Sequence, residues 1–171
     1  MAFVSSAPDT HYEIRYTLCF LTRGDDVLML HRAKSPNKGL WNGVGGKIHQ
    51  DESPLAACLR EVKEETGFSL QSANFAGVLT WSGFEVSDGG LYLFVAPAPD
   101  GDPVESGEGR LAWKPRAWVF SSPDVVDNIH HFAPRVLNGD PPGHYHFEYR
   151  DKFMTHWEIK TLPSDFDSRN F

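Results

Sequence analysis

GKIHQDESPLAACLREVKEETGF, residues 46–68, reads as a loop running into one helix with both ends signalled. Ser53 can cap the helix, Pro54 fits its first turn, and Gly67 can adopt the left-handed conformation that ends it. Leu55, Cys58, Leu59 and Val62 fall at spacing 0, 3, 4, 7, one apolar face that must pack on a sheet. The other face is costly. Glu61 lies one turn from Glu64 and Glu65, and like charges at such spacings cost about 0.2–0.5 kcal/mol per pair. Glu64 and Glu65 also sit at the negative end of the helix dipole, where each loses roughly 0.3–1 kcal/mol. Arg60 can reach Glu64 at i+4 and softens the repulsion without removing it. Carboxylates gathered on one face are what a hard divalent cation requires, because Mg²⁺ takes oxygen ligands in an octahedron and shares them with waters and phosphates. An acidic face is otherwise ordinary solvated surface, so the strain alone leaves both readings open.

Working outward, WNGVGGK at residues 41–47 is not a Walker loop, since Trp41 stands where a glycine is needed and Ile48 follows the lysine in place of Ser or Thr. Its glycine spacing does not fit a dinucleotide fingerprint either. The stretch AKSPNKGLWNGVGGK is expected to be a loop whose backbone can approach a ligand closely beside the acidic helix. Before it, YEIRYTLCFLTR and VLMLHR are β-rich runs separated by Gly24, Asp25 and Asp26, a hairpin. After the helix, NFAGVLTWSGFEV and LYLFVAPA flank SDGG as a second hairpin, and AWVF is expected as a further short strand. PDVVDNIHHFAPRVL reads as a second helix with Asp124 near its start and Pro134 inside it. GHYHFEYR and FMTHWEIKTL alternate around Asp151 and Lys152 as a third hairpin. Antiparallel strands with a few helices indicate an α/β or α+β sandwich.

The 171 residues suit a single domain spanning 1–171, with loose ends expected at 1–10 and 163–171. A formal charge of −7 argues against binding a nucleic-acid polymer through its phosphates, though not against one nucleotide whose charge a metal neutralises. No basic n-region precedes an apolar run and no 18-residue apolar segment occurs, so the expectation is a cytoplasmic protein without a membrane partner. Cys19 and Cys58 lack C-x-x-C spacing and are expected as buried thiols. His144 and His146 would share a strand face, and His130 and His131 a helix end. Without a Cys or carboxylate at metal spacing they are not expected to bind zinc.

From Gly46 the chain resembles the Nudix family. It matches the box G-x5-E-x7-R-E-U-x-E-E-x-G-U at Gly46, Glu52, Arg60, Glu61, Val62, Glu64, Glu65, Gly67 and Phe68. The resemblance implies a Nudix α/β/α sandwich with a mixed central sheet, hydrolysis of a nucleoside diphosphate linked to another group, and Mg²⁺ or Mn²⁺ as cofactor. It implies that Glu61, Glu64 and Glu65, with the Gly45 carbonyl, hold the metal, and that Arg60 pairs with Glu52 to orient them.

YTLCFLTRGDDVLMLHR and KGLWNGVGGK extend the likeness to the MutT-type oxidised-purine nucleoside triphosphatases, whose closing hairpin YHFEYRDKFMTHWEIKTL also resembles. On that resemblance Asn42 falls on the residue that hydrogen-bonds the purine, Thr17 on the pocket floor, Arg32 on a phosphate-side cation and Glu108 on an additional metal-side acid. Gly46 and Lys47 belong to the substrate-facing loop. Three positions depart: Val126 and Asn128 stand where those relatives have a stacking tryptophan and the first of two aspartates, and Pro36 stands at a pocket phenylalanine. Trp81, Phe84 and Phe132 are the alternatives for stacking, and each also suits a core.

The function expected is a Mg²⁺-dependent pyrophosphohydrolase that converts oxidised purine triphosphates such as 8-oxo-dGTP to the monophosphate and pyrophosphate. The alternatives are hydrolysis of an ordinary NTP or a dinucleoside polyphosphate, and nucleotide sensing without turnover. Sensing does not require the full acid set, and here none is missing.

Overall fold

A computed structural model describes residues 2–4, 11–163, 166 and 171. In chain order the strands and helices are β1 (Ala2–Val4), β2 (His11–Arg23), β3 (Asp26–Arg32), β4 (Trp41–Asn42), β5 (Val44–Lys47), α1 (Pro54–Thr66), β6 (Asn74–Ser82) and β7 (Gly89–Pro97). There follow β8 (Gly109–Pro115), α2 (Arg116–Ser121), α3 (Ile129–Leu137), β9 (Gly143–Arg150) and β10 (Phe153–Lys160). A mixed sheet runs β10-β9-β6-β7-β2-β3-β4, with β1 and β5 also on β2 and β8 on β3. β2–β7 and β6–β9 are the parallel pairs.

The long β2 organises the molecule because it is shared lengthwise. Its far end turns into β3 at Leu21↔Leu28, while its near half pairs with β5 at Thr17↔Gly46 and Leu18↔Gly45. Alternation along β2 sends Leu18 and Phe20 to one face and Cys19 and Leu21 to the other. The first face packs on α2 and α3 through Val119, Ile129, Phe132 and Val136; the second packs on α1 through Cys58 and Val62. The result is helix, sheet, helix. Cys19 and Cys58 are free and buried, and a hydrogen bond to Cys58, reinforced by burial, pushes the Cys19 thiol well above its usual range.

The three hairpins and the capped helix stand where the sequence puts them, and three expectations are corrected. AWVF is not a strand: it forms most of α2, where Ala117 is exposed, Trp118 and Phe120 are partly buried and Val119 alone is fully enclosed, a one-sided pattern. The strand of that region is the preceding β8, paired along β3 from Asp26↔Pro115 to Arg32↔Gly109. The second helix begins at Ile129, not near Asp124, since residues 124–126 bond to Trp41 in extended fashion: Trp41 N–H donates to Asp124 O at 2.8 Å and Val126 N–H to Trp41 O at 3.0 Å. The glycine loop is a loop only to Leu40; from Trp41 its backbone joins the sheet as β4 and β5, pairing that side-chain periodicity does not record.

Of the ends expected to be loose, most positions lie outside the described residues. Ala2–Val4 pairs with β2, and Phe166 and Phe171 pack against Phe75, at centroid distances of 5.3 Å each. Among the described residues no helix is long and apolar enough to cross a membrane.

Candidate active site

Helix α1 is fixed at both ends before it carries any chemistry. Ser53 Oγ accepts from Ala56 N–H at 3.1 Å, and Gly67, at φ 77°, returns its N–H to Lys63 O at 3.0 Å. With its apolar face on β2, the acidic face is turned to β5. There Gly46 meets Glu61 so closely that any Cβ on residue 46 would collide with the carboxylate. Gly45 N–H donates to Glu65 Oε2 at 3.0 Å. Glu65 is 5% exposed, and burial lifts its pKa to about 8, with Glu61 and Glu108 adding repulsion against the Gly45 N–H and Arg32.

Arg60 is the hub of the polar network. Its Nε and Nη2 donate to the two oxygens of Glu52 at 2.7 and 3.0 Å, a fork on a carboxylate. Nη2 also donates to Lys47 O at 2.9 Å, Nη1 to Glu61 Oε1 at 2.8 Å, and more distantly to Glu64 Oε2 at 3.4 Å. The Arg60 guanidinium holds the Glu52 carboxyl down at about 2, and the Glu52 oxygens also accept from His49 N–H at 2.9 Å.

The end of β3 and the arm after it contribute cations. Arg32 Nε donates to Pro36 O at 2.7 Å, and Lys34 Nζ to Glu108 Oε1 at 2.9 Å. A cleft of about 960 Å³ runs from these groups along the sheet face that carries Leu18. Thr17, Arg32, Asn42, Gly45, Gly46, Glu61, Glu64, Glu65, Glu108 and Asn128 all line it. Lys47, Glu52 and Arg60 stand behind the lining. Among the described residues the buried Thr17 hydroxyl has no hydrogen-bond partner, and Asn42 Oδ1 accepts from Gly43 N–H at 2.8 Å, leaving its amide NH₂ for a ligand.

The far end of the cleft is aromatic. Trp81, Phe84 and Phe132 line it with Val126, as does Tyr149, whose ring lies 4.9 Å from that of Phe84. Tyr149 O–H donates to Asp127 Oδ1 at 3.3 Å, and burial pushes the phenol above its usual range. Asp127, Tyr149 and Lys34 were not among the sequence candidates. Tyr149 could have been found from the alternation Tyr145, Phe147, Tyr149 on β9; Lys34 and Asp127 carried no local signal. The histidines lie off the cleft: Thr80 Oγ1 sits 2.7 Å from both His144 Nε2 and His146 Nδ1, His130 Nε2 donates to Ser122 O at 2.8 Å, and His131 packs on Trp157.

The acids on α1 do not converge as a ready cage. Among the described residues no three Asp, Glu, His or Cys side chains are drawn together for a metal. Uncompensated carboxylates repel, so Glu61 turns to Arg60, Glu65 to Gly45, and Glu64, 58% exposed, to the surface. Their chemistry nonetheless fits a divalent cation: every donor is a hard oxygen, and a buried Glu65 disfavoured as an anion is the kind of group a cation would compensate.

Known proteins resemble this chain over most of its length. The family pattern of the NUDIX domain matches residues 13–169. The chain is 31% identical over 150 residues to an uncharacterized Nudix hydrolase, YvcI, of Bacillus subtilis, covering 83% of this chain and 90% of that one. It is 26% identical over 144 residues to the oxidized purine nucleoside triphosphate hydrolase of Mus musculus, covering 82% and 91%. Among solved structures it superposes on a MutT protein from Bacillus halodurans with TM-score 0.74 at 30% identity, over 87% of this chain and 99% of that one.

Proposed function

This chain belongs to the Nudix family, whose hydrolases act on small-molecule nucleotides, and within it we propose a cytoplasmic, Mg²⁺-dependent pyrophosphohydrolase of oxidised purine nucleoside triphosphates such as 8-oxo-dGTP. The observation that carries the reading is the juxtaposition, in one cleft, of the Arg60-organised carboxylates with an aromatic end and the free amide of Asn42. The first suits a polyphosphate and the second a base. The likeness to the Mus musculus enzyme supports the oxidised purine. The free, buried thiols of Cys19 and Cys58 suit a reducing compartment.

In this account Glu61, Glu64 and Glu65, the Gly45 carbonyl and Glu108 hold the cation. When bound, Mg²⁺, or Mn²⁺ in its place, polarises phosphoryl oxygens and lowers the pKa of a water. The residues of the chain do the rest. Glu52 locks the Arg60 fork, and Arg60 Nη1 in turn fixes the Glu61 carboxylate. Gly45 N–H holds Glu65 at the floor of the site. Asn42 and Asn128 read the base edge, the Thr17 hydroxyl supplies a further polar contact, and Arg32 and, from β5, Gly46 face the phosphates with Lys47 behind them. Water attacks the β-phosphorus, the bond from that phosphorus to the α-bridging oxygen breaks, and the nucleoside monophosphate leaves with pyrophosphate as second product.

A screen of ordinary and oxidised NTPs with Mg²⁺, read as relative kcat/KM, tests the assignment. The expected result is preference for an oxidised purine triphosphate over its unmodified parent. Preference for an ordinary pyrimidine triphosphate or a dinucleoside polyphosphate would overturn the substrate, and nucleotide binding without turnover would overturn the enzyme.

A further inference from the structure

Lys34 lies outside the residues given a role so far. Its ammonium grips Glu108 Oε1 at 2.9 Å, and the neighbouring Ala33 N–H donates to the Glu108 carbonyl at 2.9 Å, so two successive residues of the arm after β3 hold that acid at both ends. Glu108 stands close enough to Glu65 to oppose its ionisation. One acid at the cation end of the cleft is therefore neutralised by a cation the chain itself supplies. The pair is also exchangeable: the side chains are 61% and 37% exposed, and ion pairs that open to solvent contribute little. Arg32, tied to Pro36 O, has no such freedom.

We propose that Lys34 is a resident counter-ion, which holds Glu108 until a divalent cation takes that carboxylate and then transfers its ammonium to the outer phosphates of the substrate. This rests on the hydrolase reading above and adds to it a residue that couples cation binding to polyphosphate binding. The ammonium has three donors and a flexible stem, so it can follow either partner.

The test separates the two from each other. Mn²⁺ is titrated by electron paramagnetic resonance, without nucleotide, into wild type, Lys34→Met, Glu108→Gln and the double variant. Lys34→Met should bind Mn²⁺ about threefold tighter, the scale of an exposed ion pair, and should change nothing once Glu108 is Gln. With saturating Mg²⁺, calorimetry should show inorganic tripolyphosphate bound about tenfold more weakly by Lys34→Met, the scale of a hydrogen bond to a charged group, with orthophosphate unaffected. Unchanged or weaker Mn²⁺ binding in Lys34→Met, persistence of its effect in the Glu108→Gln background, or equal losses for both phosphates would each overturn the proposal. Failure of wild type to bind Mn²⁺ would instead overturn the hydrolase reading beneath it.

Discussion

Glu65 is held at the floor of the cleft by the N–H of Gly45, 3.0 Å from its Oε2, on a different element twenty positions earlier in the chain. Burial and the neighbouring acids disfavour its charge, so this carboxylate destabilises the protein that carries it. Glu65→Gln keeps an acceptor for Gly45 and removes the ionisable group. The metal-free variant should melt at the same temperature as wild type or higher, while turnover falls at least about 100-fold. Mg²⁺ with a non-hydrolysable substrate analogue should raise the wild-type midpoint more than the variant's. A clear loss of metal-free stability in thermal melts would make Glu65 a structural partner.

Arg60 acts through planar geometry as well as charge, with both Glu52 oxygens and Glu61 Oε1 within 3.0 Å of its nitrogens. Lysine cannot form that fork. Arg60→Lys should therefore lower kcat by about 10-fold or more with little change in KM, since the disturbed groups are the acids and not the base contacts. Equal losses in a pyrophosphate-release assay whether or not Glu52 is also changed to Gln would show that the pair does not work as a unit.

How much of this was legible in the sequence follows from what each feature depends on. Helix α1 could be read to the residue because Ser53, Pro54 and Gly67 act locally. α2 could not, since its six residues are too few for a helical period and its four-residue AWVF core equally suits a strand. β8, GRLAWKP, begins in Gly and ends in Pro, and exists because β3 offers an open edge. Likewise the Lys34–Glu108 pair joins positions 74 apart, and the Tyr149–Asp127 bond joins positions 22 apart, so neither leaves a mark in a local window.

Asn42 lines the cleft while its side-chain oxygen serves Gly43. A site built to pair a polar base edge loses heavily when its partner is removed. Asn42→Ala should lower kcat/KM for purine triphosphates by about 10-fold or more, and for pyrimidine triphosphates far less. Equal losses for both would assign Asn42 to the loop. Asn128→Ala is expected to show the same selectivity with a smaller effect, because Asp127 beside it retains a carboxylate in the cleft.

The Thr80, His144 and His146 cluster sets a pH dependence separate from catalysis. Burial lowers the His144 pKa from 6.5 to about 4, with His146 adding repulsion. Between those values the unfolded chain binds the proton and the folded chain does not, so stability falls as pH drops from about 6.5 towards 4 and is flat above. Unfolding free energies from denaturant titrations should follow that curve by up to roughly 3 kcal/mol, and His144→Gln should flatten it. A wild-type curve level across that range would contradict the assignment.

The most direct test of the central claim is the position of the oxygen that water delivers. The acids of α1 and the groups proposed to read the base line one cleft, and the proposed reaction is attack of water on the middle phosphorus. Hydrolysis of the preferred triphosphate in ¹⁸O-labelled water, followed by mass spectrometry of the products, should put the label in pyrophosphate and leave the nucleoside monophosphate unlabelled. Label in the monophosphate, or release of orthophosphate with a nucleoside diphosphate, would contradict the account.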